Sequence, residues 1–170
     1  MDKSERPLQC YIAGYTNSKL DPFLEKHGFG RGLIVFAIPG LGVLFRCRAR
    51  GSRIDLEFGA YFALLRFITV KLNRERIRNV VVFSSCPEFV FSFSGPSRFI
   101  KEGSERDRLL GEYRAKLQAV VSYLEPHKNP GLASSADFPS IPSNVEGAYA
   151  PPRRKDEKIR FEPFQKGLRL

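Results

Sequence analysis

The chain is 170 residues long, enough for one domain with a proper core and too short to make two domains the natural reading. Its 42% hydrophobic and 27% charged residues are ordinary for a globular protein and no apolar run reaches membrane-span length, while 15 Phe beside no Trp and one Met require a core of Phe, Leu, Val and Ile. A formal net charge of +10 favours a polyanionic partner, because neutralised phosphates release condensed counterions, although such charge can also serve solubility alone.

In chain order, Leu8 to Thr16 (LQCYIAGYT) reads as a first strand, apolar and aromatic. A polar loop with Asp21-Pro22 and Gly28, Gly30 and Gly32 follows. Leu33 to Ile38 (LIVFAI) has strand length, Pro39-Gly40 breaks it, and Gly42 to Arg48 (GVLFRCR) resumes extended character. Two such runs around Pro-Gly-Leu-Gly predict a hairpin. Ser52 is placed to cap a helix from Arg53 to Leu72, in which Ile54, Phe58, Tyr61, Phe62, Leu65, Ile68 and Leu72 share one stripe. After Asn79, Val80 to Phe83 is a short apolar run suited to a buried strand, ended by Ser84-Ser85-Cys86-Pro87. Glu88 to Ser94 (EFVFSFS) fits either a strand or a short helix. Ser104 is expected to cap a second helix reaching Glu125, with Leu110, Tyr113, Leu117, Val120, Val121 and Leu124 on its buried face.

From Pro126 onward lie seven of the 12 prolines, so the expected division is a core of residues 1–125 and a Pro-rich, basic, partly ordered tail of residues 126–170. Within the tail, Lys158 to Phe164 (KIRFEPF) is best suited to add a strand or dock aromatics. Cys10, Cys47 and Cys86 stand far apart, with only His27 and His127 beside them, which speaks against disulfides or zinc and for a reducing compartment. The polar start, Met1 to Pro7, is unlike a signal peptide, and no amphipathic helix is left over for lipid, so no membrane partner is expected. The expected location is the cytoplasm, or the nucleus in a eukaryote.

The element order is βββαβα, and three local stretches give it meaning. Tyr15-Thr16-Asn17-Ser18 closes the first strand, Asp55-Leu56-Glu57-Phe58-Gly59-Ala60 opens the long helix, and Val80 to Cys86 (VVVFSSC) forms the buried strand and its end. In this order they resemble the ribonuclease H-like superfamily, over residues 8–95 and more weakly over the helix after them. The resemblance implies an α/β fold with a central mixed β-sheet flanked by helices, here with a Pro-rich C-terminal extension.

Enzymes of that family hold two magnesium ions between an aspartate on the first strand, a glutamate on the helix, an aspartate closing the next long strand and a late acidic residue. Magnesium demands hard oxygen ligands, and a metal pair demands shared negative charge. Here Asn17 stands where the first aspartate belongs and Ser85 where the second does. Glu57 alone matches, and Glu146 is a candidate for the late position. The resemblance therefore implies a degenerate member with Glu57 as a vestige of the catalytic set and no metal or other cofactor. The alternative is an Mg-dependent nuclease for RNA or RNA–DNA hybrid with a rearranged metal site. Glu57 also has structural readings: an acceptor for Asn17 or Ser85, or an acid favoured near a helix N-terminus. Spacing does not select Asp21, Asp55 or Glu88 as displaced ligands.

Arg46, Arg48, Arg50 and Arg53 cluster from the hairpin to the helix start, and Lys71, Arg74, Arg76 and Arg78 follow its far end. Each run could be merely solvated, yet with Arg153-Arg154-Lys155 they make nucleic acid the leading partner class. Phe45, Phe161 and Phe164 could stack on bases or simply pack. The sequence thus predicts a non-catalytic module binding nucleic acid or a nucleoprotein through a basic surface. The further alternative is a protein-interaction domain that docks through its tail.

Overall fold

The computed structural model describes residues 6–16, 31–72, 77–95, 97–133, 149–150 and 160–161. Strand β1 (Leu8–Thr16) lies antiparallel to β2 (Arg31–Ile38), with Ile12 opposite Phe36. Strand β2 in turn pairs antiparallel with β3 (Val43–Arg50), with Phe36 opposite Phe45. The predicted hairpin is present: Pro39–Leu41 makes one 3-10 turn, and Gly42 closes it at φ 66°, a left-handed conformation natural to glycine. On the other side of β1, strand β4 (Asn79–Ser84) runs parallel, with Leu8 opposite Val80.

Between β3 and β4 runs the long helix α1 (Arg53–Lys71). Ser52 caps it: its hydroxyl accepts from the Asp55 amide while the Asp55 carboxylate accepts from the Ser52 amide, which satisfies two otherwise orphaned donors. The helix is buried almost all round from Leu56 to Leu65, beyond the single stripe expected. The reason is that the sheet covers one side, while α2 (Pro87–Phe91) and α3 (Glu105–Arg114) cover the other. Phe36 stacks on Phe45 and meets Phe67 of α1, at 4.7 and 5.4 Å between ring centres. Phe89 of α2 packs edge-on against Phe58, and Tyr113 of α3 stacks on Phe62. The segment that fitted either a strand or a helix is thus helical at Pro87–Phe91, with Pro87 in the first turn, where its missing N–H costs nothing.

The second long helix is replaced. Helix α3 keeps its predicted Ser104 cap but ends at Arg114, and Gln118–Tyr123 form β5, parallel to β4 with Val82 opposite Val121. Leu117, Val120, Val121 and Leu124 have helical spacing, but Gln-Ala-Val-Val-Ser-Tyr is rich in β-branched and aromatic residues. The free edge of β4 supplies hydrogen bonds that its own turn of helix would otherwise have to supply. The sheet order is β3-β2-β1-β4-β5, three antiparallel strands continued by two parallel ones.

Residues 126–133, read above as the start of the tail, pack on the opposite sheet face. After a 3-10 turn at Pro126–Lys128, α4 (Pro130–Ala133) sits so close that a Cβ on Gly131 would lie 3.3 Å from Ala13 Cβ. Further on, β6 (Tyr149–Ala150) pairs antiparallel with β7 (Arg160–Phe161), and β6 lies against β3. The remainder of the tail, including Arg153-Arg154-Lys155 and Phe164, lies outside the described residues. Cys10, Cys47 and Cys86 are free and buried, and among the described residues no helix is long and apolar enough to cross a membrane.

Candidate functional site

The first turn of α1 reaches the sheet at Gly14. A Cβ there would lie 2.7 Å from the Glu57 amide nitrogen and 2.8 Å from Leu56 Cβ, so the absence of a side chain allows helix and strand to touch. This contact carries the Glu57 carboxyl, only 2% exposed, to the adjoining ends of β1 and β4. The Gly14 amide donates to Oε2 at 2.8 Å, and the Ser84 hydroxyl donates to Oε1 at 2.6 Å. Ser84 Oγ itself accepts from the Cys86 amide at 3.1 Å. Burial raises the Glu57 pKa to about 7, against the two hydrogen bonds and the positive charge of Arg53, which lower it.

The hydroxyl that meets Glu57 therefore belongs to Ser84, not to Ser85. Consecutive strand residues point to opposite faces, and Ser84 is the one on the α1 side. Ser85 instead donates to the Leu124 carbonyl at 2.6 Å and accepts from Asn129 Nδ2 at 3.2 Å. Fully buried Asn129 also donates to the Ile12 carbonyl at 3.0 Å and accepts from the Gly131 amide at 2.9 Å. Asn17, Asp21 and Glu146 lie outside the described residues. Asp55 serves the helix cap and pairs with Arg106 at 2.9 Å, and Glu88 is exposed on α2. Of the three residues that did not stand out in the sequence, Ser84 was accessible to strand alternation, whereas Gly14 and Asn129 carried no local signal.

The basic residues fall on separate surfaces. Arg46, Arg48 and Arg50 alternate along β3 with buried Phe45, Cys47 and Ala49, so they emerge on the face turned away from α1, with Arg48 and Arg50 exposed. Arg53 is exposed at the start of α1, near enough to Glu57 to favour its charged form. Lys71, also exposed, ends the same helix about 27 Å further along its axis. Arg78 is exposed before β4, while Arg74 and Arg76 lie outside the described residues.

A pair of divalent cations requires several charged oxygens converging on a shared space. At this place the described residues offer one carboxyl, with both oxygens already bonded inside the protein, beside a hydroxyl and a backbone amide. Among the described residues no three His, Cys, Asp or Glu side chains converge anywhere. These residues do not fit a metal pair.

No protein-family model matches the chain, and no curated protein matches it in sequence. Among solved structures it is similar to LC11-RNase H1 in complex with an RNA/DNA hybrid, at TM-score 0.50 and 14% identity over 72% of this chain and 88% of that one. A second similar structure is RNase H1 from the halophilic archaeon Halobacterium salinarum NRC-1, at TM-score 0.48 and 10% identity over 78% of this chain and 99% of that one. The mixed five-stranded sheet with its flanking helices is a ribonuclease H-like fold.

Proposed function

We propose that this chain is a nucleic-acid-binding module built on a ribonuclease H-like scaffold and lacking two-metal cleavage chemistry. The observation that carries the reading is Glu57, whose carboxyl is turned inward and held by Gly14 and Ser84 instead of facing a ligand. A buried carboxyl poised near neutrality is a weak anchor for a dication, since its charged form is already disfavoured. The formal charge of +10 supports a polyanionic partner, and exposed Arg48, Arg50, Arg53 and Lys71 can each neutralise a phosphate. Such contacts hold a backbone without reading its sequence. Because the similar LC11-RNase H1 was crystallised with an RNA/DNA hybrid, that duplex is the first substrate class to test. Three free cysteines suit a reducing compartment, and we place the module in the cytoplasm, or in the nucleus of a eukaryote.

The test is a titration of the full chain with a labelled RNA/DNA hybrid at increasing salt, with magnesium or manganese present. Affinity should fall steeply with salt, by about 0.9 in log–log slope for each phosphate neutralised, and the hybrid should remain intact. Binding that ignores salt, or no binding, would overturn the nucleic-acid reading. Magnesium-dependent cleavage abolished by Glu57→Ala would overturn the non-catalytic one.

A further inference from the structure

Strand β5 ends the sheet order, and among the described residues no strand pairs with its outer edge. The Gln118 amide donates to the Arg78 carbonyl and the Leu124 amide to the Ser84 carbonyl, so the even-numbered residues of β5 direct their backbone groups to β4. The N–H and C=O groups of Ala119, Val121 and Tyr123 therefore point outward, in the plane of the sheet. An open ladder of this kind is a template for another chain, and natural edges are commonly blunted by a lysine, a proline or a bulge. Gln118–Tyr123 carries no Lys, no Pro and no charge, and its register with β4 runs without a bulge. Apolar side chains border the edge on both faces of the sheet. Val120 is 61% exposed on one face and Tyr123 47% on the other, where exposed Phe91 ends the neighbouring α2.

We propose that a second copy of this chain occupies the edge, its β5 running antiparallel to the first about a two-fold axis at Val120. In that register Val120 lies opposite the partner's Val120, and Ala119 exchanges both backbone hydrogen bonds with the partner's Val121. Val120 then holds a non-hydrogen-bonded position, where facing side chains come closest, so the most exposed apolar residue of the strand meets its own copy. Gln118 faces the partner's Ser122. Charge selects the direction. Lys116 precedes the strand and Glu125 follows it, both exposed. An antiparallel copy brings each Lys116 beside the partner's Glu125, whereas a parallel one would set like against like. This self-match favours a second copy over an unrelated extended peptide, whose ends need carry no such charges. The edge uses none of the residues invoked for nucleic acid, so the proposal is independent of that reading.

The test is sedimentation equilibrium of the full chain, free of nucleic acid, over a range of concentrations. The parent should associate reversibly to a dimer. Val120→Lys, a change at an exposed position, sets two like charges on the axis and should weaken the dimer about tenfold or more, with the folded monomer retained in circular dichroism. Lys116→Glu should also weaken it, and adding Glu125→Lys should restore it, a rescue that requires an antiparallel second copy. Val120→Cys should give a disulfide-linked dimer under mild oxidation, because facing Cα atoms of such a pair stand about 4.5 Å apart, while the native cysteines are buried. A parent that stays monomeric at every concentration would overturn the proposal, even if it captured an extended peptide instead. So would a dimer that Val120→Lys leaves intact, that the charge exchange fails to rescue, or that Val120→Cys does not link.

Discussion

The amide of Gly14 and the carboxyl of Glu57, 43 residues apart in the chain, meet at 2.8 Å inside the protein. One end of the long helix is thereby joined to the first strand by a buried hydrogen bond. The same contact turns a carboxyl that could have faced a ligand toward the sheet.

The first prediction concerns pH. The folded-state pKa of Glu57, about 7, lies above the ordinary carboxylate range. The folded protein therefore holds this proton where the unfolded chain has released it. The contribution is fully present in acid, below the unfolded value, and is lost as pH rises through the folded one, a change of roughly 3 kcal/mol. Glu57→Gln keeps an acceptor for Gly14 and a polar partner for Ser84 while removing the titration. Denaturant melts across pH should show the variant more stable than the parent above neutrality, with a flatter profile below it. Parallel profiles for the two proteins would refute the assignment.

A methyl group at Gly14 should be costly. It would stand 2.7 Å from the Glu57 nitrogen and 2.8 Å from the Leu56 carbonyl carbon, in backbone that cannot swing aside. Gly14→Ala should lower stability by about 1–3 kcal/mol, or more if the helix must lift. Gly40→Ala is the control, since nothing lies within 4 Å of its added carbon. Thermal melts that rank the two variants together would count against the close packing.

Asn129 holds residues 126–133 to the sheet. Its side chain bonds Ile12, Ser85 and Gly131 while fully buried. Asn129→Ala removes these three bonds, at about 1–3 kcal/mol for each buried one that water does not replace. Limited proteolysis should then cut the chain near Pro126–Ala133 much faster than in the parent. Unchanged cleavage there would show that the segment is held by other contacts.

Two neighbouring arginines on α3 should behave differently. Arg106 pairs with Asp55, donates to the Phe99 carbonyl at 2.9 Å, and lies 4.1 Å from the centre of the Phe58 ring. Arg106→Ala should cost about 1–2 kcal/mol. Arg108 pairs with Glu105 and Glu112 at the surface, where water competes with both partners. Arg108→Ala should be indistinguishable from the parent in the same denaturant melt, and an equal loss for both would contradict the difference in burial.

The order of the elements as far as β4, the Pro39–Leu41 turn, the Ser52 cap and the first four strands were legible in the residues themselves. Hydrophobic runs, helix caps and turn residues act over a few positions, so their signal is local. What followed Arg114 was not legible. Leu117 to Leu124 carries a spacing that suits a helix, and only the open edge of β4 decided that it becomes a strand. The same holds for the site: Glu57 could be picked out and Ser84 was within reach of strand alternation, but Gly14 carried no local signal. Ser84 is 27 residues away and Gly14 is 43, while Asn129 reaches Ile12 across 117. Contacts over such separations depend on how closely helix and sheet approach, and that distance is set by packing of the whole core.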